Sequence, residues 1–217
     1  MEQPVRPAYV LATLLTLTAC ATGSPARSSS SMPSSAPTAP TAASRGAAST
    51  PGAVAAPTTV IVVRHAEKAT GQGDDPHLSE AGSARAGALA RALGAAGVTA
   101  VITTQFVRTA ETALPTARAA GVVPEVVAVK WDSIPSNATD IAAAVRRHAG
   151  GVVLVVGHSN TVPDIVAALG AERPGEICDV EYDRMEIVSL PQGGGARLIE
   201  SRYGAPTPAE AGCASMR

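Results

Sequence analysis

The sequence predicts an α/β fold, a three-layer α/β/α sandwich around a mainly parallel sheet. Residues 60–63, Val-Ile-Val-Val, and residues 152–156, Val-Val-Leu-Val-Val, are short, uninterrupted apolar runs rich in β-branching. Runs of that length and composition read as strands buried on both faces, the habit of parallel sheets. Around them, segments of helical spacing alternate with further strand candidates, with no internal repeat. That order places helices on both faces of one sheet.

The first strand is bounded by Thr58 and Thr59 and stops at Arg64. A polar loop over residues 71–77 leads to a helix with Ser79 as its N-cap. Gly82, Ala86, Leu89, Leu93 and Ala96 share one face of it, and Gly97 is expected to end it. Residues 99–103 form the second strand. The next helix carries Arg108, and Pro115 is expected to interrupt or kink it because proline lacks the donor an interior position needs. Gly121 closes that unit.

Residues 122–129 are expected as the third strand, 130–139 as a loop and 140–148 as a helix whose inner face is Ile141, Val145 and His148. His148 there packs at a core boundary. After the strand at 152–156, Thr161 and Asp164 resemble a capping box and Gly170 stops the helix. Residues 185–190 and 196–203, joined through 191–195, read as a hairpin at the sheet edge. No connection is expected to exceed about ten residues, so a site at the strand ends is expected to be shallow.

The ends of the chain differ from this domain. Residues 1–20 carry Arg6, an apolar stretch too short to span a bilayer, and the sequence Leu17-Thr18-Ala19-Cys20. They read as an export signal. Its ending resembles a bacterial lipobox, with Cys20 as the acceptor of lipid; plain secretion with Cys20 incidental is the alternative. Lipid chains hold a protein by burying methylenes at roughly 0.8 kcal/mol each. Residues 21–57 are almost wholly Ser, Ala, Thr, Pro and Gly, a composition that buries too little surface to offset its ordering entropy. They are expected to be a disordered tether between an extracytoplasmic membrane surface and a domain at 58–203, with 204–217 as a tail.

Composition narrows the function. The 217 residues are 46% hydrophobic but only 2% aromatic, so the core must be built from Val, Ala, Leu and Ile. A net charge of −1 and the absence of basic clusters interleaved with aromatics give no footprint for nucleic acid. The three cysteines lack zinc-site spacing. Cys178 and Cys213 either pair in a disulfide pinning the tail or remain free thiols. Oligomeric state is not encoded in any pattern here.

Chemistry-bearing residues gather where strands end, which is where open α/β sheets carry their ligand sites. Arg64 and His65 follow the first strand, Gly157-His158-Ser159-Asn160 follows a late one, and Arg108 lies in Arg108-Thr109-Ala110-Glu111-Thr112 between them. In this order the three elements resemble the histidine phosphatase superfamily, which includes the phosphoglycerate mutases. The resemblance covers roughly residues 58–203 and implies a phosphoglycerate mutase-like fold. It also implies a phosphomonoester or phosphoprotein hydrolase with His65 as nucleophile, acting on a phosphorylated small molecule or protein.

The residue types suit that chemistry. Arg64 and Arg108 offer permanent charge and planar donor forks for phosphoryl oxygens, with His158 and Ser159 as further phosphate contacts. A neutral imidazole attacks phosphorus to give a labile phosphoramidate, and His158 stabilises the charge that develops. No cofactor or metal is required. A rival metal site would use His65, Glu67, Asp74 and His77, but it would set Arg64 and Lys68 beside the cation.

An alkoxide leaving group needs a general acid. The mutase-like members use a glutamate after the third strand, whereas this chain has no Glu between Val126 and Ala171. Asp132 is the positional substitute, ahead of Glu67 and Asp183, while Glu111 is expected to orient Arg108. A phosphate-binding lipoprotein of the same fold, without catalysis, is the alternative.

Overall fold

The computed structural model describes residues 56–130 and 133–207. Within them lie β1 (Thr58–Arg64), α1 (Glu80–Ala92), β2 (Ala100–Thr103), α2 (Val107–Ala120), β3 (Glu125–Val126), α3 (Ile134–Arg146), β4 (Val152–Gly157), α4 (Val162–Ala168), β5 (Arg184–Leu190) and β6 (Arg197–Arg202). Cys20, Asp132, Cys213, the signal segment and nearly all of the tether lie outside the described residues. Among the described residues no helix is long and apolar enough to cross a membrane.

The strands form one sheet in the order β3-β2-β4-β1-β5-β6. β1 and β2 both pair with β4 in parallel, β2 pairs with β3 in parallel, and β5 and β6 continue the sheet antiparallel beyond β1. β1 and β4 are central, which is why neither sequence alternates in polarity. Their side chains divide between two cores. Ile61, Val63, Leu154 and Val156 meet Leu89, Ala113 and Ala117 of α1 and α2. Val60, Val62, Val153 and Val155 meet Ile141 and Val145 of α3 with Ile165 and Val166 of α4. Each fully buried Val or Ile contributes about 1.5–3 kcal/mol relative to exposure. This is the expected three-layer α/β/α sandwich with a mainly parallel sheet.

Local signals explain most element ends, and several depart from expectation. Ser79 caps α1 as expected, its hydroxyl accepting the N–H of Gly82 at 3.1 Å. The helix then ends at Ala92 rather than at Gly97, with Leu93 as its cap, and Ala96 lies exposed. Pro115 does not end α2, which runs through it to Gly121, the left-handed C-cap at φ 68°. Burial of Thr112, Ala113, Thr116 and Ala117 along that helix outweighs the one missing donor.

The third strand shrinks to Glu125–Val126 because Pro124 cannot donate to a ladder and this is an open edge, with Val123 91% and Val126 59% exposed. α3 begins well before residue 140, since Pro135 sits in its first turn, where no N–H is needed. Thr161 is the N-cap residue of α4, but its hydroxyl turns back to accept the N–H of His158 at 2.9 Å instead of capping forward. His148 is half-buried, 3.5 Å from Glu125. The hairpin of β5 and β6 is as expected. The connections over 65–79 and 169–183 are longer than expected, and the second reaches back across the strand ends.

Candidate active site

Arg64 is the last residue of β1, paired with Gly157 of β4, and the His65 N–H extends this ladder by donating to Gly157 O at 2.9 Å. The backbone therefore delivers His65 and His158 side by side. Their rings lie edge to face, with centroids 5.3 Å apart. Arg64, His65, Arg108 and His158 are 5%, 4%, 8% and 4% exposed. Both arginines act electrostatically on both histidines. The four residues expected to meet at the strand ends do meet there.

Burial holds both histidines well below their ordinary value. His65 falls to about 3, by burial first and then by Arg64, Arg108 and Lys68, against an opposing hydrogen bond to Ala66 O. His158 falls to about 3 as well, by burial, then by His65, Arg108 and Arg64. Both are neutral imidazoles at neutral pH. His65 Nδ1 lies 2.8 Å from Ala66 O, an acceptor only, so Nδ1 carries the proton and Nε2 the lone pair. The backbone N–H of Ala66 is held in turn by Thr112 Oγ1 at 2.9 Å. α2 thus fixes the nucleophile candidate as well as Arg108.

Each arginine is braced on one side. Arg64 NH1 faces three carbonyls of a single turn, Cys178 at 2.8 Å, Asp179 at 2.9 Å and Glu181 at 3.0 Å, and its guanidinium lies 4.1 Å over the Tyr182 ring. That turn belongs to the 169–183 connection, so the pocket has a wall where a shallow, uncovered site was expected. Cys178 is disulfide-bonded. Arg108 NH1 donates to Asp75 at 3.2 Å, and its guanidinium lies 4.2 Å over the Phe106 ring. Burial pushes both guanidinium groups below their ordinary value. The Nε–H of each arginine is buried with no protein acceptor among the described residues. Two cationic donors left in that state are costly unless an anion meets them.

Several expected roles do not hold. Glu111 does not orient Arg108, because its carboxylate takes His77 Nδ1 at 2.6 Å and the Leu78 N–H at 2.8 Å. Asp75 does so instead. Glu67 is gripped by Arg85 through Nε and NH2, and Asp183 by Arg202 and Thr207, so neither carboxylate is presented to the histidine pair. Asp132 lies outside the described residues. The rival set of His65, Glu67, Asp74 and His77 is not assembled, and no group of three His, Cys, Asp or Glu among the described residues is placed to hold a metal ion. Ser159 follows His158 in the turn before α4 and is half-buried.

Sequence reasoning missed Asp75, Thr104, Thr112 and Tyr182. Only Tyr182 carried a signal, as one of very few aromatic residues in the chain.

A mainly parallel sheet with Arg-His and His at the carboxyl ends of adjacent strands, covered by helices on both faces, defines the phosphoglycerate mutase-like fold. Residues 60–130 match the histidine phosphatase superfamily (branch 1). In structure the chain is similar to the protein histidine phosphatase SixA complexed with tungstate, at a TM-score of 0.52 and 16% identity over 66% of this chain and 96% of that one. It is also similar to a SixA structure from Nakamurella multipartitia, at 0.51 and 22% over 70% and 100%. No curated protein matches the chain.

Proposed function

We propose that the domain is a phosphohydrolase working through a phosphohistidine on His65, without metal, on a phosphomonoester or phosphoprotein. One observation carries this reading: two buried arginines, Arg64 and Arg108, act electrostatically on two adjacent, neutral, buried imidazoles. An oxyanion with close to two charges suits that cationic lining. The tungstate bound to the structurally similar SixA is an oxyanion of that kind.

His65 Nε2 gives its lone pair to phosphorus. The phosphorus–oxygen bond to the leaving group breaks, and its electron pair departs with that oxygen, which takes up a proton. The phosphoramidate nitrogen is stabilised because Nδ1–H already donates to Ala66 O. Water then attacks phosphorus, the phosphorus–nitrogen bond returns its pair to Nε2, and phosphate leaves. Arg64 and Arg108 hold the non-bridging oxygens, and His158 and Ser159 complete the cradle. Asp132 is the proposed proton donor.

In the same proposal residues 1–20 are an export signal, Cys20 is lipidated, residues 21–57 are a tether, and the domain works outside the cytoplasm on a membrane surface. Cys20→Ser is then expected to move the protein from the membrane to the soluble fraction.

Replacing His65 with alanine should abolish phosphate release from a generic aryl phosphate and the alkali-stable, acid-labile capture of phosphate on the protein after an alkaline quench. Undiminished turnover rules the mechanism out. The non-catalytic phosphate-binding reading draws on a different observation, that Glu67, Glu111 and Asp183 are all committed elsewhere. Saturable phosphate binding with no phosphoenzyme selects it.

A further inference from the structure

The ring of His158 has a partner built for it on the neighbouring strand. His158 Nε2 lies 3.1 Å from Thr104 Oγ1, which lies 2.9 Å from Thr109 Oγ1. Thr109 Oγ1 is in turn 2.8 Å from Phe106 O and 3.2 Å from Thr104 O. Thr104 follows β2 and Thr109 lies in the first turn of α2, so one hydroxyl, backed by a second, reaches the histidine that follows β4. Thr104 and Thr109 are 1% and 0% exposed.

A hydroxyl differs from the other partners a buried imidazole takes. A carboxylate accepts only and stabilises the imidazolium, and a carbonyl accepts only. A threonine hydroxyl donates to a bare ring nitrogen or accepts from a protonated one. Here its rotation is matched by a second hydroxyl. When His158 Nε2 is bare, Thr104 donates to it and accepts from Thr109. When Nε2 is protonated, Thr104 accepts from it and donates to Thr109, whose proton goes to Phe106 O. Neither arrangement strands a buried polar atom. The charged and titratable groups acting on His158 are His65 and Arg64 from the β1 end, Lys68 from the following loop, and Arg108 from α2.

We propose that Thr104, backed by Thr109, is a positioning residue that keeps the His158 ring in register through both of its protonation forms during phosphoryl transfer. The catalytic consequence rests on the proposed phosphohydrolase reading. The geometry does not.

The test uses the full chain with Thr104→Val, Thr104→Ser and Thr109→Val. With a generic aryl phosphate, Thr104→Val is expected to lower kcat by about tenfold or more while KM moves by less than about threefold, because the lost contact steadies a transition-state group. Its kcat against pH should shift relative to the parent. Thr104→Ser should restore kcat, and Thr109→Val should fall between. Parental kcat in Thr104→Val, or no rescue by serine, overturns the proposal. Nitrogen-15 resonances of the His158 ring, recorded with inorganic phosphate, give a readout that does not need turnover. They should move between the parent and Thr104→Val, and unmoved signals overturn the proposal. A parent protein without phosphatase activity defeats the functional reading alone and leaves this arm in force.

Discussion

The Asp75 carboxylate lies 3.2 Å from Arg108 NH1 and also accepts the N–H of Val107, so one acid both faces the guanidinium and caps the helix that carries it. Phe106, the N-cap residue of α2, makes no side-chain capping bond, which leaves that task to Asp75. A partly exposed pair of this kind is worth about 1 kcal/mol or less. Its charge competes with any anion for the same donor fork. Asp75→Asn keeps an acceptor for Val107 and removes the charge. It is expected to tighten inorganic phosphate binding by about threefold to fivefold, read by titration calorimetry. Weaker binding would mean that orientation of Arg108 outweighs competition for it.

The depressed histidines make stability depend on pH with a definite sign. Below pH 6.5 an unfolded histidine takes a proton that the folded His65 and His158 refuse until about pH 3. The unfolded state therefore binds more protons across this window, and stability falls as pH falls from 6.5 towards 3, at up to about 1.4 kcal/mol per pH unit per histidine. Above pH 6.5 this contribution is level. Melting temperature across pH 3.5–8 checks it, with His158→Asn expected to flatten the slope.

What was legible in the sequence was local. β-branched runs, the Arg64-His65 adjacency, the Arg108-Thr109-Ala110-Glu111-Thr112 segment and the Gly157-His158 turn each announce themselves within a few residues, and together they placed the sheet centre and four site residues. What was not legible lies across long separations. Asp75 reaches Arg108 over 33 positions, and the Cys178–Tyr182 turn reaches Arg64 over more than a hundred. No periodicity encodes either contact. Pro115 fails to interrupt α2 for another reason, since a propensity rule is set against the burial of Thr112, Ala113, Thr116 and Ala117.

Glu67 is a structural acid. Its carboxylate holds Arg85, which is almost wholly buried and also donates to Tyr203 O and Ala205 O. Removing the acid alone strands the guanidinium, at a cost of about 3–5 kcal/mol. Glu67→Ala is expected to lower the urea midpoint accordingly. A variant as stable as the parent would show that the carbonyls suffice for Arg85.

Gly82 is a close-approach glycine. A Cβ there would meet Glu67 O at 2.2 Å, against backbone that cannot swing away. Gly82→Ala should therefore push α1 off the segment following His65. A loss of about 2 kcal/mol or more is expected, with reduced phosphate affinity. Unchanged melting and binding would contradict this seating.

Tyr182 stacks on Arg64 and lies 6.3 Å from the His65 ring. Tyr182→Leu keeps bulk but removes the π face, worth about 0.5–2 kcal/mol to a partly desolvated guanidinium. Phosphate affinity is expected to weaken by about threefold to tenfold. Fluorescence-monitored phosphate titration checks it, and parental affinity would leave the three carbonyls as sufficient support for Arg64.

The register that sets Arg64 opposite Gly157 has a consequence during synthesis. A ribosome that has released residues 58–151 has produced His65 of the histidine pair and both site arginines, yet the cup does not exist, because β4 enters the sheet between β1 and β2 rather than at its edge. The growing chain stays inert until that last central piece slots home. Phosphate capture would accordingly report on completed tertiary assembly more sharply than helix content does.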